Sequence, residues 1–452
     1  MISFDLLILG AGPAGLAAAR EARRRNLRAA VVSREEPGGT CLHRGCIPVK
    51  ALLASAAALR TARAAVGFGV RTGAAEPDWP AMLARARAAS ERLARGAAAA
   101  LEASGAAFFR GKARLIAPDR VLVSPPDAAP FELAAPRVLL APGAVPARPA
   151  FLPDSPRVLD TDAALRLPAL PRRLLVLGGG AAGCEFASLF ADLGVAVELV
   201  ERELRLLPGL DRDAGVALAG AFVRQGVRIR TAAALSDVRE TADGVRAVLA
   251  DGHEIEADLL LVTVGRRPAT DGLGLDAAGI ATGPCGEIPV DAAFRTAATG
   301  VSACGDAVGR VQLAPWAEAS AEAAVATLCG EEPDFDGASI PACVFSHPEV
   351  AAVGQIEEDA RARGVPVRAG KSFFRANGRA VAAGETDGFA KVFVAPATGR
   401  LLGATIVGPG AAESIAAAAL ALRHGLPATA LRDAFPHPSF GEALAAAAEA
   451  TC

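Results

Sequence analysis

Phe4-Asp5-Leu6-Leu7-Ile8-Leu9-Gly10-Ala11-Gly12-Pro13-Ala14-Gly15 is a short apolar run ending in a glycine turn, and it continues as Leu16-Ala17-Ala18-Ala19-Arg20-Glu21-Ala22. The pattern is strand, turn, helix. The first glycine permits the tight turn, the second lets backbone N–H groups approach a pyrophosphate, and the third lets the helix pack on the strand. A lone G-x-G-x-x-G carries little weight, but here both flanking elements are present. The arrangement returns at Arg173-Leu174-Leu175-Val176-Leu177, Gly178-Gly179-Gly180-Ala181-Ala182-Gly183 and Cys184-Glu185-Phe186-Ala187-Ser188-Leu189-Phe190. The next strands, Arg28 to Val32 and Ala196 to Val200, also correspond. Ser33 and Glu201 each stand 23 residues after the first glycine of their unit (33 − 10 and 201 − 178) and are expected to face an adenosine ribose. Glu201 suits a 2′-OH and repels a 2′-phosphate, so the second unit should prefer NAD to NADP, a preference that Arg202 and Arg205 temper. The chain reads as α/β, with two Rossmann-like dinucleotide-binding units and hence two cofactors.

Beside the first unit lies Gly38-Gly39-Thr40-Cys41-Leu42-His43-Arg44-Gly45-Cys46-Ile47-Pro48-Val49-Lys50. A Cys-x4-Cys pair can close a small, strained disulfide that is easier to reduce than a structural bridge. Pro48 and the apolar run after Lys50 read as the start of a helix, because proline is tolerated in a first turn. That places Cys46 near a helix N-terminus, where the dipole and Lys50 both favour a thiolate. Inert thiols or half of a metal site are the alternatives. A zinc site wants two more Cys or His at short spacing, and His43 alone does not supply them, so no metal is expected.

With 452 residues, 52% of them hydrophobic and 21% charged, the chain can build two to four domains with substantial cores. A net charge of −2 and a pI near 6.3 give no reason to expect nucleic acid or an anionic membrane as partner. Of the eight cysteines only Cys41 and Cys46 form a close pair, which points to a reducing compartment. Met1 to Asp5 runs straight into a strand without a basic or apolar leader, and no uncharged apolar run of about 18 residues appears, so a soluble, cytoplasmic protein without a membrane span is expected. Lysine occurs only at Lys50, Lys112, Lys371 and Lys391, and tyrosine is absent.

The segment GGTCLHRGCIPVK resembles the redox-active segment of the flavin-dependent pyridine nucleotide–disulfide oxidoreductases, in wording closest to the dihydrolipoyl dehydrogenases. The resemblance extends along nearly the whole chain. It implies FAD at the first unit, through Gly10, Gly12, Ala14 and Gly15, then Gly39, Thr40 and Lys50, the backbone around Ala113, Gly143, and Asp306 in Thr299-Gly300-Val301-Ser302-Ala303-Cys304-Gly305-Asp306-Ala307, with Ala314 near the flavin pyrimidine. It implies NAD at the second, through Gly178, Gly180, Gly183, Glu185, Glu201 and Gly265. Phe108 to Leu115 and Arg137 to Gly143 read as strands, and Asp258 to Pro268 resembles the strand that carries the chain out of the NAD unit. There are departures. Ser33 replaces an acidic residue, leaving the ribose contact to serine or to Glu35 or Glu36. Pro142 replaces a threonine, Pro315 a histidine, and Ser320-Ala321 an acidic-glycine pair.

From about Gly337 the chain changes character, and Phe345-Ser346-His347-Pro348-Glu349-Val350-Ala351 resembles the opening of the family's C-terminal interface domain, with His347 structural. The implied domains are 1–145 with 266–336 for FAD, 146–265 for NAD, and 337–452 as an α+β dimerisation domain. Phe435-Pro436-His437-Pro438-Ser439-Phe440-Gly441-Glu442 resembles the family motif in which histidine handles the thiol proton and glutamate orients it. Ser439 and Glu442 also read as a capping box for a helix over Ala443 to Ala450. The resemblance implies that Cys41 exchanges with the substrate disulfide, that Cys46 lies against the flavin, that Lys50 and Glu185 pair near it, and that His437 acts across a homodimer. The expected reaction is oxidation of a protein-bound dihydrolipoyl group with NAD. A mercuric reductase, a low-molecular-weight disulfide reductase and a non-catalytic flavin-binding assembly subunit are the rivals; the first uses a C-terminal cysteine pair, where this chain has Cys452 alone.

Overall fold

The computed structural model describes residues 2–451; Cys452 lies outside the described residues. In chain order, β1 (Leu6–Leu9) passes through the first glycine turn into α1 (Pro13–Arg24) and β2 (Ala29–Ser33). The cysteine segment is itself helical, as α2 (Gly39–Arg44) and α3 (Cys46–Ala64), so the helix read as starting at Pro48 begins two residues earlier, at Cys46. Next come α4 (Trp79–Ala103), β3 (Ala107–Arg110) and β4 (Lys112–Ala117). The single strand expected over 108–115 is therefore two. They part at Gly111, where a Cβ would lie 2.9 Å from the Ser124 carbonyl oxygen, and they enter different sheets.

Then follow β5 (Val138–Leu140), β6 (Ala144–Pro146), β7 (Arg173–Leu177), α5 (Ala181–Asp192), β8 (Ala196–Val200) and α6 (Arg212–Arg224). The strand expected over 258–268 is also divided, into β9 (Leu259–Val262) and β10 (Arg266–Pro268), with Gly265 at φ +112° in the break. β11 (Val301–Ala303) and α7 (Ala314–Leu328) precede the C-terminal region of β12 (Ala342–Val344), β13 (Val350–Gly354), α8 (Glu357–Ala362), β14 (Arg368–Phe373), β15 (Phe389–Val394), β16 (Leu401–Val407), α9 (Ala411–Arg423) and α10 (Glu442–Glu449).

The chain forms two compact units. The first comprises Met1–Val49, Ala84–Ala147 and Arg266–Gly337. Its centre is a parallel sheet in the order β11-β5-β1-β2-β3. All four residues of β1 are buried, the continuous apolar run expected of an inner parallel strand covered on both faces.

The second unit comprises Lys50–Leu83, Arg148–Gly265 and Ala338–Cys452. It holds a matching parallel sheet, Val158–Leu159, β9, β7, β8 and Arg228–Arg230, and an antiparallel sheet in the order β12-β13-β16-β15-β14. One face of the antiparallel sheet, with Val392, Ala404 and Ile406, buries Ile415 and Ala418 of α9 and Leu444 and Ala447 of α10. The fold is thus α/β with two parallel dinucleotide-binding sheets and a C-terminal α+β domain, as read from the sequence. No uncharged apolar run of about 18 residues occurs, since Arg44, Lys50, Arg60 and Arg63 interrupt the longest helical stretch. The helical stretch Gly39–Phe68 is long and apolar enough, by length and composition, to cross a membrane. In the protein Leu52, Leu53, Ala56 and Leu59 of this stretch are buried, and Lys50 and Arg60 pair with Glu185 and Asp192 of α5.

His347 is structural, as its context suggested. Its backbone N–H donates to Ser188 Oγ (2.9 Å), and its Nδ1 lies 3.2 Å from Gln225 Nε2. Burial, with Arg60 nearby, pulls its pKa down to about 4. The unfolded chain takes up a proton at about 6.5 while the folded one does not, so this residue removes stability as pH falls from 6.5 to 4 and has no effect above. We expect wild-type protein to lose about 2 kcal/mol more than His347→Gln over that window; equal denaturation midpoints at pH 7 and 4.5 would remove the histidine from the account.

Candidate active site

Each glycine turn divides its labour in the way pyrophosphate binding demands. In the first unit Gly10 has φ +122°, its N–H donates to Val32 O (2.8 Å), and a Cβ there would lie 2.0 Å from Ala141 O. A Cβ on Gly15 would lie 1.9 Å from Gly10 O, whereas a Cβ on Gly12 would come no closer than 3.9 Å to Gly39 Cα. The second turn repeats this. Gly178 has φ +107° and donates to Val200 O (2.8 Å), a Cβ on Gly183 would lie 1.8 Å from Gly178 O, and nothing lies within 4 Å of a Cβ on Gly180. The outer glycines serve the protein's own packing, and the middle one keeps space open at a helix N-terminus whose N–H groups favour an anion. Both turns fit a dinucleotide pyrophosphate.

The cysteine segment is held against the first turn. Gly38 N–H donates to Ala11 O (2.8 Å), and a Cβ on Gly39 (φ +57°) would lie 2.7 Å from Gly12 Cα. Cys41 therefore rides on α2 with Thr40 beside it, and Cys46 opens α3; both thiols are partly buried. Arg266 Nη2 reaches Thr40 Oγ1 (3.4 Å) and also bonds Ala144 O. Asp306 lies in the short turn Gly305–Val308, where burial raises its pKa and Arg266 lowers it. Ser320, found where an acidic residue is usual, is buried, accepts the Gly305 N–H (3.1 Å) and donates to Ala317 O (3.0 Å), so it fixes the Asp306 turn on α7. Ala314 and Pro315 form the first turn of α7, Ala113 is on β4, and Gly143 (φ +75°) precedes β6. Ser33 Oγ accepts the Glu35 N–H (3.3 Å), while Glu35 pairs with Arg44 (2.8 Å) and Glu36 with Arg110 (3.4 Å). The two glutamates that could replace an acidic residue at Ser33 already have cationic partners.

In the second unit Glu201 is buried at the end of β8, where its carboxylate accepts the N–H of Gly179 (2.5 Å) and of Glu203 (2.7 Å). Lys50 Nζ lies 2.7 and 2.8 Å from the two Glu185 oxygens, and Glu185 Oε1 also accepts the Phe345 N–H (2.9 Å). The Phe345 ring lies under the same ammonium at 4.8 Å. Cys184 is fully buried and donates to Gly179 O (3.3 Å), and burial drives its pKa far up, so it is a packed thiol.

His437 Nδ1 is 2.8 Å from Glu442 Oε1. The Ser439 N–H, at 2.8 Å, and His437 hold the Glu442 pKa below the usual carboxylate range, so the ionised carboxylate accepts, Nδ1 carries the proton and Nε2 is left to accept one. The His437 side chain is 82% exposed. The capping box is corrected. The glutamate half is present, but α10 begins at Glu442 with Gly441 as its cap, and Ser439 Oγ makes no hydrogen bond. Sequence reasoning missed Arg266, Thr263 and Phe345. Thr263 Oγ1 donates to Leu177 O (2.9 Å) and Gly178 O (3.0 Å), locking the second turn onto β9. No spacing signalled them, because each acts through backbone brought close only by the fold.

Taken with two dinucleotide turns and a cysteine pair on the first, the sequence comparisons settle the class: the chain belongs to the pyridine nucleotide–disulphide oxidoreductases, whose family description matches residues 4–321, with the family's dimerisation domain matching 340–448. FAD and NAD are the cofactors of this enzyme family. Over 450 residues the chain is 36% identical to a dihydrolipoyl dehydrogenase of Chlamydia muridarum (99% of this chain, 96% of that one). It is also 36% identical to one of Thermus scotoductus over 457 residues (100% and 98%). Among solved structures it is similar to LpdA of Mycobacterium tuberculosis, with a TM-score of 0.92, 31% identity and 99% of each chain covered. It is similar too to the HOCl-induced flavoprotein disulfide reductase RclA of Escherichia coli in its Cu(II) complex, with a TM-score of 0.89, 28% identity and 99% of each chain covered.

The open middle glycines and crowded outer ones should separate on mutation. We expect Gly12→Ala and Gly180→Ala to fold with a stability change of about 0.5 kcal/mol or less yet to lose FAD and NADH binding respectively. Gly15→Ala and Gly183→Ala should each lose about 3 kcal/mol or fail to accumulate. Flavin content and chemical denaturation of the four variants check both halves.

Proposed function

We propose that this enzyme is a dihydrolipoyl dehydrogenase: it oxidises a protein-bound dihydrolipoyl group with NAD through a Cys41–Cys46 disulfide and FAD. The observation that carries the reading is the His437–Glu442 pair, which leaves Nε2 ready to take a thiol proton. A substrate thiolate, its proton passed to His437, attacks Cys41, and the Cys41–Cys46 bond breaks with Cys46 leaving as thiolate. The second substrate thiol then attacks the mixed disulfide, releasing the cyclic lipoyl disulfide and the Cys41 thiol. FAD, when bound, supplies the two-electron relay that returns the dithiol to the disulfide as NAD and the electron pair give NADH, one proton being released. The start of α3 and nearby Lys50 favour Cys46 as the thiolate leaving group. Lys50 and Glu185, paired with each other, would tune a bound flavin, and Glu201 would hold the ribose of NAD.

The domains of this reading are 1–145 with 266–336 for FAD, 146–265 for NAD and 337–452 for the interface. The active form is a cytoplasmic homodimer in which the exposed His437 serves the partner's cysteines, and its substrate is a separate lipoyl-carrying protein.

Purified protein loaded with FAD should form NADH from dihydrolipoamide and NAD and do so poorly with NADP. Cys41→Ser and Cys46→Ser should abolish turnover. His437→Gln should lower kcat by about 10²–10⁴-fold with flavin content unchanged. Turnover of mercuric ion or of a low-molecular-weight disulfide in place of lipoamide would overturn the substrate assignment, and no turnover of any would favour the assembly-subunit reading.

A further inference from the structure

Two of the four lysines in this chain, Lys371 and Lys391, are paired across β14 and β15, and Lys391 is buried. Lys391 Nζ lies 2.8 Å from Glu357 Oε2, 3.0 Å from Asp213 Oδ2 and 3.2 Å from Asp211 Oδ2. Lys371 adds a contact to Asp213 (2.9 Å), and Arg361 holds Glu357. Three carboxylates thus meet three cations around a fully buried Asp211. None of these residues has a role in the reaction proposed above, and a buried cluster of this kind is a costly way to gain stability alone.

What the cluster grips is the end of one loop. Asp211 caps α6 by accepting the Asp213 N–H (2.9 Å), and it closes the stretch 202–210 that starts at Glu201. That stretch covers the second glycine turn: Leu207 N–H donates to Gly179 O (2.9 Å), Gly179 N–H donates to Glu201, and a Cβ on Gly179 would lie 2.7 Å from Leu206 Cδ2. From α8, Glu358 Oε1 accepts the Arg212 N–H (3.1 Å) and lies 3.9 Å from Arg205, whose Nη2 reaches Pro208 O and Leu210 O. The C-terminal region therefore holds the far end of the loop whose near end carries the ribose carboxylate.

We propose that Lys391 is a positioning residue for the pyridine nucleotide: through Asp211 it anchors the 202–210 loop and so fixes Glu201 against Gly179. The inference rests on the reading of the second turn as the NAD site. Lys391 lies nine-tenths buried in the C-terminal sheet, and its partners Asp211, Asp213 and Glu357 lie outside the second glycine turn, so its effect is on affinity and on discrimination.

The test is titration of NADH and NADPH into the FAD-loaded protein, followed by nucleotide fluorescence, for wild type, Lys391→Met, the near-isosteric Asp211→Asn, Lys391→Arg, and Arg60→Met. The last breaks a different buried pair in the same unit, Arg60 with Asp192. Lys391→Met and Asp211→Asn should raise the Kd for NADH by about fivefold or more and narrow the NADH-over-NADPH preference, with flavin content and circular dichroism unchanged. Lys391→Arg should restore the Kd to within about twofold, and Arg60→Met should leave it there. If Lys391→Met does not fold, Asp211→Asn carries the test. A folded Asp211→Asn with wild-type affinity and preference, or an equal shift in Arg60→Met, overturns the proposal. Wild-type protein that binds neither nucleotide would instead remove the reading of the second turn, and this inference with it.

Discussion

Two backbone carbonyls, of Gly10 and Gly178, lie where a side chain on Gly15 or Gly183 would have to be. That approach of helix to strand is the constraint from which the rest follows. It turns the N-terminus of α1, and of α5, toward the loop that precedes it, and a helix N-terminus with unpaired N–H groups is an anion site before any side chain contributes. In the first unit the cysteine helix then builds on this turn by a second close backbone approach, Gly39 on Gly12. In the second unit the loop after Glu201 is laid over its turn, and both polar groups of Gly179 are used to hold it.

The charges buried on this frame are each given a partner. Lys50 satisfies both oxygens of a Glu185 that is almost wholly buried, while the Phe345 N–H takes a further lone pair of the same carboxylate. Neither oxygen of that carboxylate is left without a hydrogen-bond donor. Glu442 is the opposite case. It is partly exposed, and one backbone N–H and one imidazole suffice to keep it ionised and to settle which nitrogen of His437 carries the proton.

The architecture was legible wherever a local pattern had a single physical meaning. The apolar strands β1 and β7 with their glycine turns, the helices after them and the change of character near Gly337 could be read from residue order, because apolar runs, glycine spacing and helix starts are local facts. Breaks imposed by distant chain were not legible. Nothing near Gly111 announces the Ser124 carbonyl that splits β3 from β4. Likewise Ser439 resembles a helix cap until Gly441 takes that position. Side-chain pairs were legible only where a family motif supplied them, as with Lys50 and Glu185. Ser320 looked like a loss because its usual acidic counterpart is gone, whereas its hydroxyl does a different job on the Gly305 N–H.

Glu201 has a last lesson about changing cofactor preference. Its carboxylate is a structural brace, since two backbone N–H groups terminate on it, and in the proposed reading it would be a recognition group as well. Exchanging it for a neutral or basic residue to admit a phosphorylated ribose would strand the buried Gly179 N–H, free that of Glu203, and loosen the second glycine turn. If the second turn binds NAD as proposed, a chain built this way would have to rebuild the brace before it could drift to the other nucleotide, and single substitutions would not suffice.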